Sequence, residues 1–140
     1  MNYLLDTSVC IDYLRRPDSP MHKWLETVDA DCVHLCSVVQ AELLLGARKN
    51  PTDWNRRNVS KFLAAFESYS FDYEAAEVYA DVRAELEKKG QVISPNDMLI
   101  AAVAVLHGAT LVTGNAREFR RIPELQCLAL EDLAADKTQH

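Results

Sequence analysis

Short apolar runs that read as strands alternate along this chain with longer stretches of helical periodicity, and this alternation restricts the fold more than any other feature. Residues 3–5 (YLL), 32–36 (CVHLC), 109–113 (ATLVT) and 127–130 are apolar runs too short for ordinary helices, bounded by polar or turn residues. Residues 69–71 offer a possible fifth strand. Each run is followed by helix signals, and a strand reaches a parallel neighbour only through a crossover, usually helical. An α/β fold is therefore expected, with a parallel twisted sheet of four to five strands and helices on both faces.

The helix signals are local. After a short helix at 8–14, Ser19 reads as an N-cap with Pro20 at the first helical position, opening a helix to about 28. Ser37 and Gln40 have capping-box spacing ahead of a helix to about 49. A polar connection at 50–57 precedes a helix at 58–68, where Val59, Phe62, Leu63 and Phe66 repeat at helical intervals. Asp72 caps a long helix whose inner face carries Ala75, Val78, Tyr79, Val82 and Leu86 and which Gly90 ends. Its exposed Glu/Lys/Arg face suggests an outer layer or one side of a subunit contact. Ser94, Pro95 and Asp97 open a helix that is apolar nearly all round and closes at Gly108. One domain over residues 1–133 is expected, with 134–140 as a tail.

Composition narrows the partners. Twenty-one acidic residues against fifteen basic ones give a net charge of −6, so bulk attraction to nucleic acid is excluded. RNA or DNA binding would require local basic clusters or metal ions. No apolar run approaches the ~20 residues of a membrane span, and with Met1 leading straight into a strand the cytoplasm is the expected compartment. The four cysteines, Cys10, Cys32, Cys36 and Cys127, lie in apolar segments. Cys32 and Cys36 on one strand would stand ~13 Å apart at a rise of ~3.3 Å per residue, too far to share a zinc ion. They read as buried, reduced thiols.

The carboxylates carry the chemistry. Asp6 ends the first strand, where open α/β sheets bind ligands, although an Asp there also caps the next helix. Glu42, in SVVQAELLLGA, lies too far into its helix to cap it. It is either partly desolvated among apolar neighbours, and then in need of a partner, or exposed on a single wet stripe. Asp97 sits in the first turn of the apolar helix, where the helix dipole is expected to hold its pKa low; it can cap and ligate at once. Asn115 and Glu118 follow the strand ATLVT. If the strands are parallel, these regions share one sheet edge. Converging carboxylates repel unless a cation intervenes, and oxygen-only ligands select Mg²⁺ or Mn²⁺. His22, His34 and His107 lie outside these motifs.

In the spacing of LLDTSVCIDYL, SVVQAELLLGA, SPNDMLIAAVA and LVTGNAREFRRIPEL, the sequence from Asn2 to about Leu130 resembles the PIN-domain ribonucleases, and closely the VapC toxins of bacterial toxin–antitoxin pairs. The resemblance implies a three-layer PIN-like fold and Mg²⁺- or Mn²⁺-dependent endonucleolytic cleavage of RNA, leaving a 3′-hydroxyl and a 5′-phosphate. It implies that Asp6, Glu42 and Asp97 are metal-binding catalytic residues. Many PIN domains have Asp where this chain has Asn115, while similar toxins carry N-x-x-E-F, matched by Asn115, Glu118 and Phe119. Glu118 is thus expected as a fourth catalytic and metal-binding carboxylate, with Thr7, Asn115 and Arg117 positioning carboxylates or the scissile phosphate. Arg15, Arg16, Arg120 and Arg121 also flank the expected mouth. The implied partners are RNA, a VapB-type antitoxin and a second copy of the chain. Two rivals stand beside this reading. One is a catalytically silent module that captures a basic peptide; the other is a phosphatase or phosphotransferase using Asp6 as nucleophile, although Ser8 stands where that chemistry wants a second acid.

Overall fold

The computed structural model describes residues 1–137, including the side chains of all but 53 and 134–137. Five parallel strands, β1 (Tyr3–Leu5), β2 (Val33–Cys36), β3 (Glu67–Tyr69), β4 (Thr110–Thr113) and β5 (Gln126–Ala129), form one sheet in the order β3-β2-β1-β4-β5. The chain winds outward from β1 to β3, then returns to the other side of β1 for β4 and β5. The winding thus reverses between β1 and β4, and the carboxyl ends of the strands at such a switch point form a crevice. Register fixes what lies there. Leu5 pairs with Val112, so the next residues, Asp6 and Thr113, leave the sheet side by side.

Among the described residues eight α-helices flank the sheet: α1 (Thr7–Arg15), α2 (Pro20–Thr27), α3 (Ser37–Lys49), α4 (Asp53–Ala64), α5 (Tyr73–Lys88), α6 (Pro95–Leu106), α7 (Ala116–Phe119) and α8 (Leu130–Lys137). The central strands are apolar on both faces, with Leu4, Leu5, Leu35, Leu111 and Val112 fully buried. α6 is the buried helix its composition predicts: Met98 and all of Ile100, Ala101, Ala102, Val103 and Ala104 are shut away from solvent, and α5 packs along it. Both helices end where their glycines stand. Gly90 and Gly108 take φ of 66° and 61°, and the next amides, of Gln91 and Ala109, close back onto Leu86 and Ala104. No helix among the described residues is long and apolar enough to cross a membrane.

Several local expectations are corrected. Ser37 does not cap α3; Cys36 holds the cap position, and the Ser37 hydroxyl accepts from the Phe71 amide at 3.0 Å, tying α3 to the segment after β3. α3 is also less enclosed than its sequence suggests, since only Val39 and Leu43 are buried while Leu45 is 54% exposed. α4 starts at Asp53, inside the stretch read as a connection, because the Thr52 hydroxyl accepts from the Asn55 amide at 3.0 Å and caps it. The third strand lies at Glu67–Tyr69 rather than 69–71, set by pairing of His34 with Glu67 and of Cys36 with Tyr69. Cys32 ends a 3-10 turn (Ala30–Cys32) instead of lying in the strand with Cys36; all four cysteines are free. The last helix, α8, runs from Leu130 to Lys137, and 138–140 lie outside the described residues.

Candidate active site

Asp6 leaves β1 at the switch point and turns the chain into α1. Its backbone continues the sheet ladder, donating to the Val112 carbonyl at 2.9 Å, while its side chain caps α1 by accepting from the Thr7 amide at 2.8 Å. Capping leaves the other carboxylate oxygen free for two hydroxyls, Ser8 at 3.0 Å and Thr113 at 2.6 Å. Those hydroxyls are themselves held by the loop after β4. The Gly114 amide donates to Ser8 Oγ at 3.0 Å and the Asn115 amide to Thr113 Oγ1 at 2.9 Å. Asp6 is only 4% exposed and fixed from both strands.

Glu42 reaches the same edge from α3, half-buried rather than exposed on a wet stripe. One oxygen accepts from the Thr7 hydroxyl at 2.6 Å, the other from the Asn96 amide group at 3.3 Å. The carboxylate therefore bridges the first turns of α1 and α6. Asp97, the next residue of α6, is half-buried. Beyond β4, Asn115 Nδ2 donates to Glu118 Oε2 at 3.1 Å, and the fully buried Phe119 anchors this short helix.

Electrostatics join the four acids. Burial pushes the Asp6 carboxyl above its ordinary value against the pull of its three donors, and the charge of Glu42 adds to the rise. Asp97 is raised by burial first, partly offset by the Ser94 hydroxyl, and then by the negative charges of Asp6, Glu42 and Glu118. The low pKa expected for Asp97 from the helix dipole is thus reversed. Partial burial first, and then three acids brought near it by the fold, outweigh a local dipole.

No protein cation appears among the groups acting on Asp6 or Asp97, so the repulsion is unrelieved within the described residues. The donors facing this edge are carboxylate, amide and hydroxyl oxygens. Burial holds the thiols of Cys10 and Cys36 protonated, with Asp6 also raising both, so neither offers a thiolate. That donor chemistry fits a hard divalent cation such as Mg²⁺ or Mn²⁺. Among the described residues, no three His, Cys, Asp or Glu side chains are already gathered closely enough to hold an ion. Asp6 and Glu42 are instead turned toward hydroxyl and amide donors.

The fold therefore brings Asp6, Glu42, Asp97 and Glu118 into one electrostatic neighbourhood, with Thr7 on Glu42 and Asn115 on Glu118. Arg117 lies apart, in a neighbouring cleft with Arg16 and Arg120. The three histidines among the described residues are engaged elsewhere: Tyr69 stacks between His34 and His107 at centroid distances of 4.4 and 3.8 Å, and His22 stacks on Tyr13. Three contributors escaped the sequence reading, namely Ser8, Thr113 and Asn96. Their side chains are ordinary turn and strand-end polar groups, and only the register of β1 against β4 and the approach of α3 to α6 give them acids to hold.

Thr113 is fully buried and nearly the shape of Val. Thr113→Val removes the hydroxyl that donates to Asp6 and accepts from Asn115, so a loss of roughly 1.5–3 kcal/mol is expected in urea unfolding, the range for hydrogen bonds to charged groups. Thr113→Ser should retain most of that stability. An unchanged midpoint in the Val variant would remove Thr113 from the support of Asp6.

A family model described as the PIN domain matches residues 3–125. Over 127 residues the chain is 37% identical to ribonuclease VapC2 of Rickettsia felis, covering 89% of this chain and 95% of that protein. It is 32% identical over 128 residues to the tRNA(fMet)-specific endonuclease VapC of Salmonella typhimurium, covering 90% and 96%. Among solved structures, that of VapBC2 from Rickettsia felis bound to a DNA fragment from its promoter aligns with a TM-score of 0.84 at 34% identity, over 92% of this chain and 98% of that one. Thirty per cent identity and a TM-score of 0.84 relate the chain to DNA-bound VapBC from Salmonella typhimurium, over 93% and 98%. With a five-stranded parallel sheet of matching architecture, a PIN-domain match over residues 3–125 and VapC relatives along nearly its whole length, the chain belongs to the PIN-domain family, among the VapC proteins.

Proposed function

We propose that this chain is the endoribonuclease toxin of a type II toxin–antitoxin pair and hydrolyses RNA phosphodiester bonds with Mg²⁺ or Mn²⁺. The observation that carries the reading is the charge of Glu42 acting on Asp6, and of Asp6, Glu42 and Glu118 acting on Asp97, with no cation of the described residues among the groups that act on those two aspartates. The names of the VapC relatives place ribonucleases nearby in sequence.

Asp6 and Asp97 are the residues that would hold the principal ion. Glu42 would ligate it or a neighbouring ion, or orient the attacking water; Glu118 would act through water or a second ion. When bound, a divalent ion offsets the carboxylate repulsion, lowers the pKa of water and stabilises charge in the in-line displacement. Thr7 and Asn115 hold Glu42 and Glu118 in place for that work. Water adds to phosphorus, the bond from phosphorus to the 3′ oxygen breaks, and that oxygen leaves with a proton, giving a 3′-hydroxyl and a 5′-phosphate.

The partners of this reading are RNA, a VapB-type antitoxin and a second copy of the chain, acting in the cytoplasm, with residues 1–133 as the working domain. An arginine from the antitoxin could pair with the carboxylates in place of the ion.

Cleavage of RNA in the presence of Mg²⁺ or Mn²⁺ tests the proposal. Chelation should stop the reaction and added ion restore it, and the products should accept a 5′ label only after phosphatase treatment. Cleavage that continues in excess chelator, or products ending in a cyclic phosphate, would overturn it.

A further inference from the structure

Beside the carboxylates lies a second feature of opposite sign. A cleft of about 590 Å³ opens between the loop after β4, the segment joining α1 to α2, and the start of α8. Among the described residues it is lined by Arg16, Arg117 and Arg120 against one acid, Glu131, with Gly114 and Asn115 at the carboxylate end. On a chain of net charge −6, this is a local excess of positive charge. Its size is within the ~300–1,000 Å³ of sites that enclose small ligands.

The charges differ in availability. Arg16 is already paired with Asp12 at 3.1 Å and Asp18 at 3.6 Å. Arg117 and Arg120 are exposed, and Arg120 also lowers the raised pKa of the Cys127 thiol. Two other arginines that flank the mouth in sequence do not belong here. Arg15 lines a separate hollow between α1, α3 and α4, and Arg121 donates to the Val92 carbonyl at 3.3 Å. The cleft borders the acids through Gly114 and Asn115, because the Gly114 amide donates to Ser8, which donates to Asp6, and Asn115 donates to Glu118.

We infer that this cleft is the track for the single-stranded RNA backbone on one side of the scissile phosphate, with Arg117 and Arg120 as its phosphate contacts. The assignment of RNA rests on the nuclease reading above. Among the described residues no aromatic ring lines the cleft, so they offer bases no stacking platform and hold the strand by phosphate charge without reading sequence. Glu131 opposes the strand and limits how tightly it is held.

The test is binding, read separately from cleavage. Affinity of the Asp97→Asn chain for a fluorescent single-stranded oligoribonucleotide is followed by anisotropy across a salt series in chelating buffer. Each phosphate contact contributes about 0.7 to the slope of log affinity against log salt for single strands. Adding Arg117→Ala and Arg120→Ala should flatten the slope by roughly 1.4, equally for oligo(U) and oligo(A). The Arg117→Lys and Arg120→Lys pair should keep the slope, Glu131→Gln should tighten binding, and Arg121→Ala should change neither. An unchanged slope in the double Ala variant, or a loss confined to one base composition, overturns the track. The nuclease reading is judged on its own: a parent chain that cuts no RNA removes that reading while the slope on uncut oligonucleotide still decides the track.

Discussion

The Asp97→Asn variant is expected to lose RNA cleavage by at least about 100-fold while staying folded and, without metal, becoming more stable at neutral pH. The lower bound follows from the 10–100-fold typical of residues that merely support a metal ligand, which a ligand itself should equal or exceed. The gain in stability follows from the direction of the pKa. Asp97 and Asp6 both sit above their ordinary value of 3.8 in the folded chain. Between 3.8 and the raised value, the folded chain therefore binds more protons than the unfolded one. Stability falls as pH rises through that interval and is recovered as pH falls through it. Asn carries no charge, so the variant should lose the share of that dependence due to Asp97. It also removes repulsion from Asp6, Glu42 and Glu118. Thermal unfolding from neutral pH down toward pH 4, in chelator, checks both statements. A variant less stable than the parent at neutral pH, or with the same pH slope, would contradict the electrostatic account.

The largest stability effect is expected at Phe119. Its ring is fully buried and is the bulkiest fully buried side chain of the core. Phe→Ala in such a place costs about 3–5 kcal/mol, a large part of the ~5–15 kcal/mol available to a domain. The consequence reaches the site because α7 is a single turn, pinned by Ala116 and Phe119, and carries the Asn115–Glu118 pair at 3.1 Å. Phe119→Ala should lower the urea midpoint and, under conditions where it remains folded, depress cleavage. Phe119→Leu, which keeps much of the apolar volume, should fall between Ala and the parent in both. A loss below about 1 kcal/mol for the Ala variant would show that α7 is held by something other than this ring.

What could be read from the residues alone was whatever local chemistry settles. Ser19 with Pro20, Asp72, and the glycines at 90 and 108 carry their cap geometry with them, and the apolar circumference of α6 could be satisfied only by burial. β3 was displaced by two residues because a short, half-exposed strand takes its position from its partner, here His34 pairing with Glu67. α4 begins earlier than expected because one threonine cap extends a helix into polar sequence where apolar periodicity is silent. At the site, the acids were legible by type and spacing, whereas their holders were not. Thr113 meets Asp6 only through the β1–β4 register, and Asn96 meets Glu42 only through the approach of two helices distant in sequence. The raised pKa of Asp97 has the same origin, since a helix dipole can be read from a sequence, whereas the burial that chiefly raises it and the arrival of three other acids cannot.

Calorimetric titration of the purified chain with Mn²⁺ bears most directly on the central claim, that these separated acids act together as a cation site. Saturable binding is expected in the parent, abolished or strongly weakened in Asp6→Asn and Asp97→Asn variants that remain folded. Absence of binding in the parent, or equal binding in parent and variants, would contradict it.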